Sequence, residues 1–337
     1  MTRWRDIPLV GIFAVLLLAG TPAGADDEAP REILVKDRPD EAVPTLIEFE
    51  SLAIKFGTGE VQLANGETVG EAQWPALVLA RLSTTTFCSA TLIGPRVLLT
   101  AAHCVDARRT ADKTATIPVR VKVGNSDIAS LSCRMHPAYE AAGIPARKVD
   151  PRSADDYALC ELAEGVPDTI LFETLNTEAP LTSGRPMVLT GYGCTSAWVI
   201  GNTIEHGPSD KALRMADGAL HLVNVADSSG AAGSFVAARA EPREDPYICP
   251  GDSGGPMIIG TSLEHPTPRT RRLAGVNSKL VALEHEGHFD FYSFIAPVNS
   301  ASFSSFLTNW QGGGASPGYR AACGAGLQPG EDNCRGD

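Results

Sequence analysis

Three short stretches of this chain carry residue types that can do covalent chemistry together. CPGDSGGP (249–256) sets Asp252 directly before Ser253 and surrounds the pair with three glycines and two prolines. That composition interrupts regular structure and shows no apolar alternation, so the stretch reads as a constrained loop. A serine hydroxyl is a poor nucleophile near neutral pH; it needs a base, and the base needs a group to orient it. TAAHC (100–104) supplies His103 just after the apolar run RVLLTA, and DDYAL (155–159) supplies a carboxylate, Asp155 or Asp156, beside an apolar run that would draw it inside. Together they point to catalysis by an activated hydroxyl, on condition that the fold unites residues 150 positions apart.

The elements that must do this are short strands. From Leu63 onward the chain is a series of apolar runs broken by Gly, Pro and Asn: WPALVLARL, FCSATLIG, RVLLTAA, IPVRVKVG, YALCEL, PMVLTGYG, ALHLVNV, GPMIIG and RLAGVNS. Many short strands with turn signals between them predict an all-β barrel or sandwich. SASFSSFLTNW predicts one late helix, and residues 312–337 read as a Gly-rich linker and a small tail with two cysteines.

Upstream, residues 1–25 hold two arginines, an apolar run from Ile7 to Ala19 and the small-residue pattern Ala23-Gly24-Ala25. We read them as a secretory signal peptide, because a membrane anchor needs about 18–20 apolar residues. Residues 26–62 hold ten acids and four bases with little period, the composition of a propeptide or flexible lead without a globular core. Removing the signal leaves 26 basic and 39 acidic side chains. Such a surface repels phosphates and anionic lipid, so neither nucleic acid nor membrane is an expected partner. The eight cysteines (88, 104, 133, 160, 194, 249, 323 and 334) all follow the signal and form no CxxC pair, which favours a disulfide framework in an exported chain over zinc or redox chemistry.

TAAHC, DYAL and GDSGGP, in that order, resemble the trypsin/chymotrypsin family of serine proteases over about residues 63–310. The resemblance implies two perpendicular six-stranded Greek-key β-barrels with a C-terminal helix, one barrel at 63–173 and the other at 174–311, with the cleft between them. It makes Ser253 the nucleophile, His103 the general base and then acid, and Asp156, at the family's DxAL spacing, the partner that fixes the imidazole tautomer. Asp155 is the rival for that last role. The backbone N–H groups of Gly251 and Ser253 become the oxyanion hole. Asp252 awaits an α-amino group: LANGETVGEAQWP (63–75) fits the family's mature start, so cleavage between Gln62 and Leu63 would free the amine. Gln62 departs from the family's usual cut after Arg or Lys.

The family's specificity residues map less firmly. Tyr247 stands where trypsins carry an acid, and the substrate-pairing strand maps to Ser278-Lys279-Leu280, with Leu280 in place of a glycine that keeps the pocket mouth open. A narrowed pocket for small or medium apolar side chains follows; Asp290, as a wall residue, would instead restore a preference for basic ones, though an exposed loop acid is the favoured reading. Cys88–Cys104 is a family bridge. The other pairings stay open, with Cys133–Cys160, Cys194–Cys249 and Cys323–Cys334 the set that their positions suggest. His285 and His288 read as a solvated loop, PRTRR (268–272) as an exposed loop and nicking site, and His136 as a packing residue.

The expected protein is thus a secreted serine endopeptidase, extracellular or periplasmic, made as a zymogen, monomeric and needing no cofactor. Its partners are a protein or peptide substrate and an activating protease. The alternative is a catalytically silent binding protein on the same scaffold.

Overall fold

The computed structural model describes residues 31–35, 47–51, 64, 66–69, 73–81, 87–106, 119–123, 126–141, 154–177, 179–201, 203–209, 211–226, 232–240, 245–265, 267, 270–285, 288–313, 320–328, 330 and 333–334. Residues 1–25, read above as a signal peptide, and most of residues 26–62 lie outside them. The first strands are β1 (Arg31–Val35), β2 (Ile47–Ser51), β3 (Glu67–Thr68), β4 (Leu77–Arg81), β5 (Phe87–Gly94), β6 (Val97–Thr100), β7 (Val119–Val123), β8 (Ser126–Met135) and β9 (Ala158–Leu162). There follow β10 (Pro186–Gly191), β11 (Ala197–Ile200), β12 (Thr203–His206), β13 (Arg214–Ala219), β14 (His221–Ala226), β15 (Ala232–Ala240), β16 (Pro256–Ile259), β17 (Arg272–His285) and β18 (His288–Pro297).

β4 to β9 supply six strands of a closed barrel, in the order β2-β4-β5-β6-β9-β8-β7. The seventh, β2, comes from the lead; it pairs antiparallel with β4 and parallel with β7. Its sequence, IEFES, has the period-two alternation of a strand with one wet face, a signal overshadowed by the acidic composition around it. The second sheet runs β11-β12-β1-β17-β16-β10-β13-β3, and β18, β15 and β14 extend it from the other side of β17. The fold is all-β in two curled, largely antiparallel sheets, as the sequence predicts, but each sheet also takes a strand from the segment expected to be a propeptide or flexible lead.

Burial follows the strand patterns. Every residue of β6 and β9 is buried, whereas β7 alternates buried and half-buried side chains. The late helix, α3 (Ala301–Gly312), follows two short ones, α1 (Ala102–Val105) and α2 (Pro137–Ala141). Ser300 caps α3 by accepting from the Phe303 N–H at 3.0 Å, a contact that typically contributes about 1 kcal/mol. The buried face of α3 (Phe303, Phe306, Leu307 and Trp310) joins the core cluster that holds the first barrel's side chains together with some from the second sheet, such as Ile258 and Val276. Phe303 meets Tyr157 and Phe306 meets His136, each edge-on with centroids 4.9 Å apart, and the Tyr157 hydroxyl donates to the Pro297 carbonyl at 2.5 Å. His136 therefore packs, as expected.

All four disulfides join the pairs that the sequence suggested: Cys88–Cys104, Cys133–Cys160, Cys194–Cys249 and Cys323–Cys334. Cys133 and Cys160 face each other directly across β8 and β9. The tail is bound to the rest of the fold: the Leu175 N–H donates to the Cys323 carbonyl at 2.9 Å, and Arg320 reaches both Glu161 and the Trp310 carbonyl. Of PRTRR, Pro268 and Arg269 lie outside the described residues and Thr270 is exposed in a turn as expected, but Arg271 and Arg272 are not loop residues free in solvent. Arg271 is 2% exposed and forms a two-pronged pair with Glu173 (3.1 and 2.5 Å), its guanidinium 3.6 Å from the centre of the Trp74 ring. Among the described residues, no helix is long and apolar enough to cross a membrane.

Candidate active site

His103 sits on α1, a single turn held at the end of β6 by the Cys88–Cys104 bridge to β5. Its ring Nδ1 lies 2.6 Å from Asp156 Oδ2, and its backbone N–H donates to Asp156 Oδ1 at 3.0 Å. The Ser278 hydroxyl donates to the same Oδ2 at 2.7 Å. Burial works to raise the Asp156 carboxyl, but the charge and hydrogen bonds of His103, with the Ser278 hydroxyl, outweigh it and hold the group below its ordinary value. Asp155, the rival, instead faces His136 at 3.8 Å. The carboxylate beside the imidazole is thus buried, ionised and oriented by three donors.

Ser253 is half-buried on the loop before β16. Three contacts tie this loop to the elements that hold His103, two to β5 and one to α1. The Ser89 N–H donates to the Ser253 carbonyl at 2.6 Å, the Ser89 hydroxyl donates to the Gly251 carbonyl at 2.9 Å, and Cys104 Sγ stands 3.7 Å from the Ser253 carbonyl. Gly254 allows the approach. With φ +84° it occupies a region that side chains disfavour, and a Cβ there would come within 2.1 Å of the Ser89 carbonyl oxygen. Gly251 also has positive φ, +108°. Among the described residues no carbonyl accepts from the N–H of Gly251 or of Ser253, so both donors remain for a ligand oxygen.

Asp252 is fully buried and accepts from the Gly193 N–H at 2.6 Å and the Cys249 N–H at 2.7 Å. Burial raises its carboxyl from 3.8 to about 7 against these donors and the Arg214 charge. Leu63, whose amine would pair with it, lies outside the described residues. The next residue, Ala64, is buried and bridges antiparallel to Tyr247, so the chain just after the expected cut runs into the same region.

The specificity residues are partly united. Leu280 is buried in β17 opposite Ser293 of β18. Tyr247 is 1% exposed, edge-on to Phe291 at 4.7 Å, and its hydroxyl accepts from the Ala197 N–H at 2.9 Å. Asp290 is no exposed loop acid: it stands in β18 opposite Leu283, partly buried and engaged by Arg239 at 2.9 Å. Sequence reasoning missed two residues. Ser293, fully buried, accepts from the Ile248 N–H at 2.9 Å and so lies beside Tyr247 and Leu280. Asn277 donates to the Thr190 carbonyl at 2.7 Å, while its carbonyl accepts from the Gly254 N–H at 2.8 Å, knitting the serine loop to β17. Neither stands in a motif; Ser293, between Tyr292 and Phe294, shows the trace of a polar residue among apolar neighbours, and Asn277, followed by Ser278, shows none.

A buried acid on an imidazole, an adjacent serine loop and two open backbone donors on a two-sheet β scaffold define a protein of the trypsin class. The family model described as Trypsin matches residues 63–303, and the chain belongs to that family. Among its relatives, granzyme M of Homo sapiens is 28% identical over 215 residues, which cover 62% of this chain and 77% of that protein. Transmembrane protease serine 11G of Rattus norvegicus is 26% identical over 210 residues, 59% of this chain and 45% of its own length, so the match spans under half of that relative. A solved mutant of human heparin binding protein has the same fold at TM-score 0.50 and 16% identity, over 76% of this chain and 99% of that one.

Proposed function

We propose that this chain is a secreted serine endopeptidase that hydrolyses peptide bonds through an acyl-enzyme. The observation that carries this reading is the 2.6 Å contact from His103 Nδ1 to a buried Asp156, made beside a serine loop bonded to the strand that anchors the histidine. His103 takes the Ser253 proton as Oγ attacks the scissile carbonyl. The carbonyl oxygen gains negative charge, which the Gly251 and Ser253 N–H groups stabilise; losing one such donor typically costs about 3–4 kcal/mol in the transition state. The protonated imidazole then gives its proton to the leaving amine, an ester remains on Ser253, and water, deprotonated by His103, releases the acid. Tyr247, Leu280 and Ser293 line the specificity region and favour small or medium apolar side chains before the cut. The four bridges fit the oxidising compartment, extracellular or periplasmic, to which the signal peptide would deliver the chain.

The decisive experiment is labelling of the processed protein by a small fluorophosphonate. One equivalent should attach at Ser253, and none to the Ser253→Ala variant. A folded, processed protein that never reacts would instead be a binding protein on the protease scaffold.

Asp252 supports manufacture as a zymogen. In the uncleaved chain its raised carboxyl keeps a proton that the unfolded chain releases near pH 4. Between about pH 4 and 7 the native state therefore binds more protons, and stability falls as pH rises; above about 7 both states are ionised and the loss is complete. Denaturant midpoints should drop across that window more steeply in the uncleaved protein than in its Asp252→Asn variant. Cleavage before Leu63, by supplying an ammonium partner, should remove the difference. Equal slopes in protein and variant would refute this, and an active species that begins upstream of Leu63 would refute the cleavage site.

A further inference from the structure

The lead strand β1 lies on the edge of β17 that the substrate needs. β18 occupies one edge of β17 over Gly275–His285. The other edge is shared: β16 takes it at Arg272–Val276, and β1 takes it at Val281–Glu284, antiparallel, in the register Leu34↔Val281, Ile33↔Ala282, Glu32↔Leu283 and Arg31↔Glu284. Between the two, Asn277 is held by the serine loop through Gly254 and Gly255. Among the described residues, the spans that β16 and β1 pair with are separated, beyond Asn277, by Ser278–Leu280, three residues or about 10 Å of strand, the stretch to which the family resemblance maps substrate pairing.

We infer that β1 is an internal competitor for extended substrates. A peptide that pairs with Ser278–Leu280 and continues along the edge beyond Leu280 requires the backbone groups of Val281–Glu284 that β1 now uses. Strand addition to a sheet edge draws its affinity from those main-chain hydrogen bonds, so two strands cannot hold them together. On its far side β1 pairs parallel with β12, at Leu34↔Thr203 and Val35↔Ile204, so it is the middle strand of three rather than a loose end. A cut between Gln62 and Leu63 breaks one peptide bond but none of these pairings. The lead remains seated after activation until it is displaced, and until then the enzyme takes short peptides better than long ones.

This inference rests on Ser253 being the nucleophile, and the test separates the two. The full chain is made with a site-specific protease sequence in place of residues 58–62 and cut, alongside Ile33→Pro and Leu34→Pro variants. Proline removes a strand N–H, and because successive N–H groups point to opposite neighbours, one of the two variants disrupts the β17 side whichever way β1 faces. Three quantities are read: hydrogen exchange of the 281–284 amides, the labelling rate with a small fluorophosphonate, and the rate with a hexapeptidyl phosphonate. After the cut β1 is held near β17 through β2, which stays paired with β4 and β7 in the barrel, and a strand so held competes at up to about millimolar effective concentration, so at least one variant should speed exchange and raise the hexapeptidyl rate by about tenfold, with the small-probe rate unchanged. Unchanged exchange and an unchanged ratio of the two rates in both variants would overturn the inference and leave the protease reading intact. A small probe that labels no form would overturn both.

Discussion

Replacing Asp156 by Asn is expected to lower kcat by about four orders of magnitude while the fold persists. The geometry dictates the outcome. The His103 backbone N–H claims Oδ1, which pins the asparagine carbonyl oxygen to that position and turns the amide nitrogen to where Oδ2 now meets the imidazole. An N–H facing Nδ1 forces the ring proton onto the far nitrogen, so the ring can no longer accept the Ser253 proton. The Ser278 hydroxyl, now a donor to Oδ2, would turn and accept from the same amide. Steady-state kinetics on a short peptide ester, with a thermal melt as control, measures this. KM should change only a few-fold, and a loss below tenfold would show that Asp156 does not set the tautomer.

The second large effect concerns stability. Glu173 is fully buried and balances the 2%-exposed Arg271. Glu173→Ala leaves a guanidinium in the interior without its counter-ion, a change that typically costs about 3–5 kcal/mol and should lower the melting midpoint by roughly 10 °C. Arg271 would keep its bond to the Gln73 carbonyl and its stack on Trp74, so the loss should be that of the pair alone. The double change Glu173→Leu with Arg271→Met should recover most of it, because removing both charges also removes their desolvation cost. Calorimetry on the three proteins decides; a single variant within 1 °C of the parent would mean that water reaches the pair.

The contrast between these sites shows what the chain declares and what it hides. His103, Asp156 and Ser253 stand in contiguous motifs because each needs a specific local backbone, and contiguous constraint is visible in sequence. Strand content was equally plain, since the run RVLLTA holds β6, every residue of which is buried. Arg271 was misjudged as solvent-exposed because PRTRR has a loop's composition; its partner lies 98 positions away, and nothing local announces a long-range ion pair. β1 and β2 were hidden for a related reason: short strands in an acidic segment gain their stability from edges built by distant residues. Asn277 and Ser293 likewise act through backbone groups far along the chain, where residue type alone carries no signal.

One feature of the architecture bears on how this molecule fails. The last helix comes after the strands of the second sheet, yet it inserts its aromatic face beneath the first barrel, through Phe303 on Tyr157 and Phe306 on His136. The polypeptide therefore crosses back like a bolt through two plates. Thermal or mechanical stress cannot part the plates while the bolt holds, so both sheets should unfold together in one transition, with no half-melted molecule in between.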